Sequence, residues 1–304
     1  MVQPGPSLLP PAHEAPLPAA RRTATGVRVH SGVPYAAVTG IRPLELDLYL
    51  PSDGDTPVPS VIFLHGGGWR TGSRRMLGPA YARVAPDPFE QVAAAGIAVA
   101  SVDYRLSGEA RWPVQLHDAK AAVRWLRARG PESGIDPDRI AAWGESAGAH
   151  LALLLGLTGP GMDGDVGLLG PSTTVSAVAA WYAPSDLGAL PGDLGTDPAA
   201  PDSREALLLG APLGSVPDLA RAASPISYIG SDAPPILLLH GRDDRLIPCA
   251  QSERLSAALE SAGATVDLDT YPGADHMWLG SADAPGKALA RTIDFLQDRL
   301  EPDR

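Results

Sequence analysis

Short, continuous apolar runs recur along the chain, each closed by glycine, proline or a charged residue: Val61-Ile62-Phe63-Leu64, Ile97 to Asp103, Ile140 to Trp143, Val175 to Tyr182 and Pro235 to Leu239. Runs this short and this apolar predict central strands covered on both faces. Gly26 to His30, Leu44 to Leu50 and Thr265 to Tyr271 instead alternate apolar with polar side chains, as strands with one solvated face do. Between the strands, Val114 to Arg129 carries Val114, Leu116, Ala119, Ala122, Val123 and Leu126 at helical spacing. Helices are also expected over Ala147 to Leu157, Ser252 to Ala262 and Ala284 to Leu300, and from about Leu77 to Ala95 with interruptions at Pro86 and Pro88. Ile135 to Arg139 reads as a turn. The repeated strand-helix alternation predicts one α/β domain with a mostly parallel central sheet flanked by helices.

Two segments depart from the alternation. Residues 1–24 are rich in proline and alanine and are expected to be a flexible leader, leaving 25–304 as the single domain. Residues 187–231 dissolve into Gly, Pro and Asp over a length too great for a plain loop. Their apolar pieces, Ala206 to Leu209 and Leu219 to Ala223, predict short helices in a cap-like, pocket-shaping insertion.

Charge narrows the choice of partner. The 24 basic and 35 acidic residues give a net charge of −11, which repels nucleic acid and anionic membrane surfaces, so neither is an expected partner. A single cysteine, Cys249, rules out an intrachain disulfide framework and is read as a structural thiol. With no Sec-type leader, no apolar segment after Arg21-Arg22 and no 18-residue apolar run, the expected location is the cytoplasm.

The chemistry centres on Gly144-Glu145-Ser146-Ala147-Gly148, between an apolar strand and a small-residue helix. A G-x-S-x-G turn lifts the serine hydroxyl out of the sheet and aims the N–H of Ala147 at a developing oxyanion. Upstream, the Val61 to Leu64 strand opens into His65-Gly66-Gly67-Gly68-Trp69. This loop lacks the Gly-Lys-Ser/Thr of a phosphate loop and the G-x-G-x-x-G of a dinucleotide site, and no cofactor is expected. His117 and Asp118 are adjacent on a helix and share no face, so they are read as structural and no metal site is expected.

A serine needs a base, and the base an orienting acid. His276 is a late histidine on a loop, and Asp243 and Asp244 share a loop before it, so either can be the acid. The order Ser, Asp, His is that of α/β-hydrolases.

Taken together, HGGGW, GESAG, HGRDDRLIP and GADH resemble the α/β-hydrolase superfamily over about Leu44 to Leu300, specifically the branch of hormone-sensitive-lipase-like, feruloyl and acetylxylan esterase-like carboxylesterases. The resemblance to its H-G-x-x-D-x-x-V-P loop implies Asp244 as the acid, with Ile247 where valine is usual. It implies a triad of Ser146, Asp244 and His276 and an oxyanion hole of Gly67, Gly68 and Ala147. His65 then braces its loop, and Glu145 is a hydrogen-bonding neighbour of the serine, not a catalytic acid. Trp69, Tyr182, Met277 and Trp278 flank these motifs and are candidate substrate-pocket walls. The implied activity is serine ester hydrolysis on small or short-chain acyl esters. An arylformamidase-like amidase and a non-catalytic binding homologue are the alternatives.

A histidine base works only when neutral. The rate is therefore expected to fall on acidification through the ordinary imidazole range of about 6 to 7, and a pH–rate profile flat to about pH 4 would contradict it.

Overall fold

The computed structural model describes residues 11–52, 54 and 56–301. Within them one sheet holds β1 (Arg21–Arg22), β2 (Arg28–Ala36), β3 (Leu44–Leu50), β4 (Val58–Leu64), β5 (Ala98–Val102), β6 (Ile135–Glu145), β7 (Val178–Trp181), β8 (Ile236–Gly241) and β9 (Val266–Tyr271). The strand order is β1-β2-β3-β5-β4-β6-β7-β8-β9. β1, β2 and β3 pair antiparallel, as does β3 with β5, and β5 through β9 run parallel. The helices are α1 (Pro88–Ala94), α2 (Val114–Arg129), α3 (Ala147–Leu157), α4 (Leu190–Leu194), α5 (Arg204–Leu209), α6 (Pro217–Ala222), α7 (Ala250–Ser261) and α8 (Ala284–Leu300). This is the α/β-hydrolase fold that the motifs implied.

Alternation along the central strands divides the interior into two cores. Ile62, Leu64, Ile140, Ala142, Ile236 and Leu238 face one way, against α2, α3 and α7. Val61, Phe63, Ala141, Trp143, Leu237 and Leu239 face the other, against α1 and α8. A strand buried on both faces needs apolar residues at every position, which is why these segments read as unbroken runs.

Local differences from the sequence pattern have physical causes. The expected turn at Ile135 to Arg139 is a bulge inside β6, where pairing jumps from Val58↔Ile135 to Ser60↔Ile140 and frees Pro137 from the ladder. The expected helix from Leu77 shrinks to a 3-10 turn at Pro79–Tyr81 and to α1, which Asp87 caps by accepting the Glu90 N–H at 2.9 Å. Residues 1–10 of the expected leader lie outside the described residues. Residues 11–24 are not loose: β1 pairs with β2, and the His13 carbonyl accepts from Trp125 Nε1 at 3.1 Å. Prolines there forbid a helix but not extended backbone docking against the body.

The insertion adds α4, α5 and α6 after β7. It is tied down by Trp112 N–H to the Leu208 carbonyl (2.9 Å), by Gln251 Nε2 to Asp193 (2.6 Å) and by the Arg254–Asp193 ion pair (2.8 Å). Among the described residues, no helix is long and apolar enough to cross a membrane.

Among the described glycines, the closest backbone approach joins β4 to the turn after β6. A Cβ on Gly148 would stand 1.9 Å from the Leu64 carbonyl oxygen and 2.5 Å from that of His65, both immobile backbone. Gly148→Ala is therefore expected to destabilise the fold by about 3 kcal/mol or more, read by urea denaturation. A variant as stable as the parent would contradict this packing.

Candidate active site

Five strands end at the same edge of the sheet and deliver the site: β4 leads to His65, β6 to Ser146, β7 to Tyr182, β8 to Asp244 and β9 to His276. In open parallel sheets this carboxyl edge is where ligands bind. Ser146 sits at φ 53°, ψ −119°, a conformation an L-residue holds only under constraint. Its N–H donates to the Trp181 carbonyl at 2.8 Å and its own carbonyl accepts the His150 N–H at 3.0 Å, so the turn is clamped from both sides.

Ser146 Oγ lies 3.0 Å from His276 Nε2, and His276 Nδ1 lies 2.7 Å from Asp244 Oδ2. All three residues are buried, at 8%, 4% and 6% exposure. Asp244 Oδ1 accepts the N–H groups of Leu246 and Ile247, each at 2.8 Å. Burial opposes the charge on Asp244. Hydrogen bonding to His240 and His276, the nearby imidazole and the Ile247 N–H outweigh it and hold the carboxyl well below the usual carboxylate range. Asp243, the other acid the loop offered, is exposed. His276 is carried on a short turn that Asp275 ties to the acid loop by accepting the N–H groups of His276 (2.7 Å) and Arg245 (2.9 Å).

The glycine loop lies beside the serine. Gly67 and Gly68 have φ of 111° and 61°, and among the described residues the amides of Gly67, Gly68 and Ala147 donate to no protein acceptor. His65 braces the loop: its Nδ1 lies 2.7 Å from the Gly66 carbonyl, and its ring stacks on Tyr104 at 4.3 Å. Burial lowers its pKa to about 4, which leaves it neutral. Glu145, fully enclosed, accepts from Tyr182 Oη at 2.7 Å, Gly78 N–H at 3.1 Å and Gly66 N–H at 3.4 Å. Burial raises its pKa against those hydrogen bonds.

A cavity of about 570 Å³ opens beside the loop. Gly66, Gly67, Glu145 and Met277 form its inner end, and Tyr49, Tyr81 and Phe89 supply aromatic wall. A second cavity, of about 490 Å³, is lined by residues between Asp186 and Ser227 and touches none of Ser146, Asp244 and His276. Of the four expected pocket walls, only Met277 lines the first cavity. Trp69, Tyr182 and Trp278 are buried to 1%, 0% and 1% exposure. Trp69 packs edge-on to His150 at 5.0 Å, and Tyr182 packs against both His276 (4.7 Å) and Trp278 (4.8 Å). These three support the site from beneath. Among the described residues, no group of three or more His, Cys, Asp or Glu side chains is arranged to hold a metal ion.

Comparison with known proteins places the chain in a family. The sequence matches the BD-FAE family over residues 46–259. The chain belongs to the BD-FAE family of α/β-hydrolase esterases. Esterase LipQ of Mycobacterium tuberculosis (strain ATCC 25618 / H37Rv) is 33% identical over 88% of this chain and 61% of its own length. Esterase LipC of the same strain is 36% identical over 76% of this chain and 56% of its own. The chain thus spans less than two thirds of the length of these two relatives. Among solved structures, a truncated carbohydrate esterase from gut microbiota has a TM-score of 0.79 at 28% identity, covering 92% of this chain and 99% of that one. Thermogutta terrifontis esterase 2 phosphorylated by paraoxon has a TM-score of 0.70 at 27% identity, covering 91% and 96%.

Within this BD-FAE chain one participant escaped the sequence reading, and so did the partners of Glu145, which was expected only as a hydrogen-bonding neighbour of the serine. His240 Nε2 lies 3.4 Å from Asp244 Oδ2, and the four-residue separation in H-G-R-D-D was its only signal. The three-way grip of Glu145 had none, because Gly66 and Gly78 contribute only backbone. Glu145→Ala would strand two amides and a phenol, so a loss of about 2–4 kcal/mol in urea denaturation and a lower kcat are expected. Glu145→Gln keeps an oxygen for the amides and is expected to retain most of both. An alanine variant as stable and active as the parent would contradict the role.

Proposed function

We propose that this chain is a serine carboxylic-ester hydrolase acting through an acyl-enzyme on small-molecule esters. The observation that carries the reading is the continuous Ser146–His276–Asp244 hydrogen-bond path, at 3.0 and 2.7 Å, beside three amides with no acceptor among the described residues. Family membership and relatives that are themselves esterases support an ester over an amide or formamide.

In this reading His276 Nε2 takes the Ser146 proton as Oγ attacks the ester carbonyl, and Asp244 stabilises the imidazolium. The amides of Gly67, Gly68 and Ala147 hold the tetrahedral oxyanion. Collapse breaks the ester C–O bond, and His276 returns the proton to the departing alcohol. Water, deprotonated by His276, then attacks the acyl-enzyme and releases the acid with the serine restored. Residues 187–231 act as a cap, and the cavity beside Gly67 and Met277 receives one apolar group of the ester.

The neighbouring esterase 2 solved with paraoxon phosphorus attached supplies the test. Paraoxon is expected to add one diethylphosphoryl group to the peptide carrying Ser146, read by mass spectrometry, and to abolish turnover of p-nitrophenyl acetate. Ser146→Ala is expected to resist labelling and lose kcat on the order of 10⁶-fold. Near-native turnover in that variant would overturn the proposal.

A further inference from the structure

Arginines drawn out of solvent in this chain have partners. Arg74, Arg105 and Arg254 meet carboxylates, and Arg124 and Arg127 donate to backbone carbonyls. Arg204, at the start of α5, is the exception among the buried and half-buried arginines described. It is half-buried, yet within the described residues it makes no ion pair and no hydrogen bond through its side chain. A cation removed from water gains nothing in return until an anion or a strong acceptor meets it.

Its place is specific. A Cβ on Gly68 would stand 2.7 Å from Arg204 Cδ and 3.2 Å from Cγ, so the aliphatic stem lies on the oxyanion loop itself. α5 is fixed there by its Ser203 cap, which accepts the Ala206 N–H at 3.1 Å, and by Trp112 N–H to the Leu208 carbonyl. Arg70, exposed on the same loop, adds a second positive charge with no partner among the described residues. The two carboxylates nearest the serine are already committed, Glu145 to Tyr182 and backbone amides and Asp244 to His276.

We infer that Arg204 is a substrate-recognition residue whose guanidinium takes a carboxylate carried by the ester, so that anionic esters are the favoured substrates. This rests on the ester-hydrolase reading. The planar fork of arginine matches a carboxylate through two parallel N–H donors, a geometry neither an ester nor a hydroxyl can complete.

The test compares kcat/KM within two matched pairs. Monomethyl succinate against methyl butyrate places the charge on the acyl side; 4-acetoxybenzoate against phenyl acetate places it on the alcohol side. The wild-type enzyme is expected to prefer the anion in one pair, which also identifies the side. Arg204→Met keeps the stem over Gly68, and Arg204→Gln is the second variant should it fail to fold. Either is expected to lower that anion preference by about 10- to 100-fold. Raising salt from 10 to 500 mM is expected to erode the preference of the wild type in the same pair. A wild type with no anion preference in either pair, or a variant that loses both members of a pair equally, would overturn the inference. Failure of the esterase reading would look different: the wild type would turn over none of the four esters.

Discussion

The end of β4 and the helix after β6 touch through bare backbone, and the site is built on that contact. Gly148 presses on the carbonyls of Leu64 and His65, while a Cβ on Gly144 would stand 2.4 Å from the Gly148 carbonyl. No side chain fits between the Ser146 turn and the glycine loop, so neither moves without the other. The parallel register of Leu64↔Gly144 brings the two loops out at the same level. In the proposed ester hydrolysis, a serine and amide groups held at fixed separation would be arranged in advance for a tetrahedral centre, which is where electrostatic preorganisation has its effect.

Two buried carboxylates flank that arrangement and are pushed apart in character. Asp244 is enclosed but faces His276, His240 and two amides, and these hold it ionised. Glu145 is enclosed and faces a phenol and two amides, and burial raises its pKa. The same chemical group thus holds the His276 imidazole in one place and fastens loops in the other. What separates the roles is the company each keeps, since a partner able to carry positive charge is within hydrogen-bond reach of Asp244 alone.

The central sheet was legible because strands buried on two faces leave unbroken apolar runs, as in Val61 to Leu64 and Pro235 to Leu239. Ser146, Asp244 and His276 were legible because the chemistry demands residue types in a set order at strand ends. Residues whose role lies in backbone geometry left weaker marks. The bulge at residues 136–139 looks like a turn because Pro137 cannot join a ladder, and the docking of residues 11–24 depends on carbonyls that any sequence would supply. Arg204 is marked only by the side-chain partner it lacks among the described residues, a property of the folded arrangement and not of the sequence pattern.

The aromatic residues taken for pocket walls fail in that role for a shared reason. Among the described residues, the non-glycine positions with positive φ are Trp69, Ser146, Tyr182, Met277 and Trp278, and all five belong to the loops of the site. Each such conformation costs about 1–3 kcal/mol and persists only where surrounding structure overrides it. Large rings that bury fully and pack edge-on to their neighbours supply that override: Trp278 against Trp181, Tyr182 and Tyr271, and Trp69 against His150. Met277 has no ring to bury and is left to line the cavity. Bulky aromatics beside the Ser146 turn and the glycine loop therefore hold reversed backbone in place, and the cavity is lined by the loops they hold.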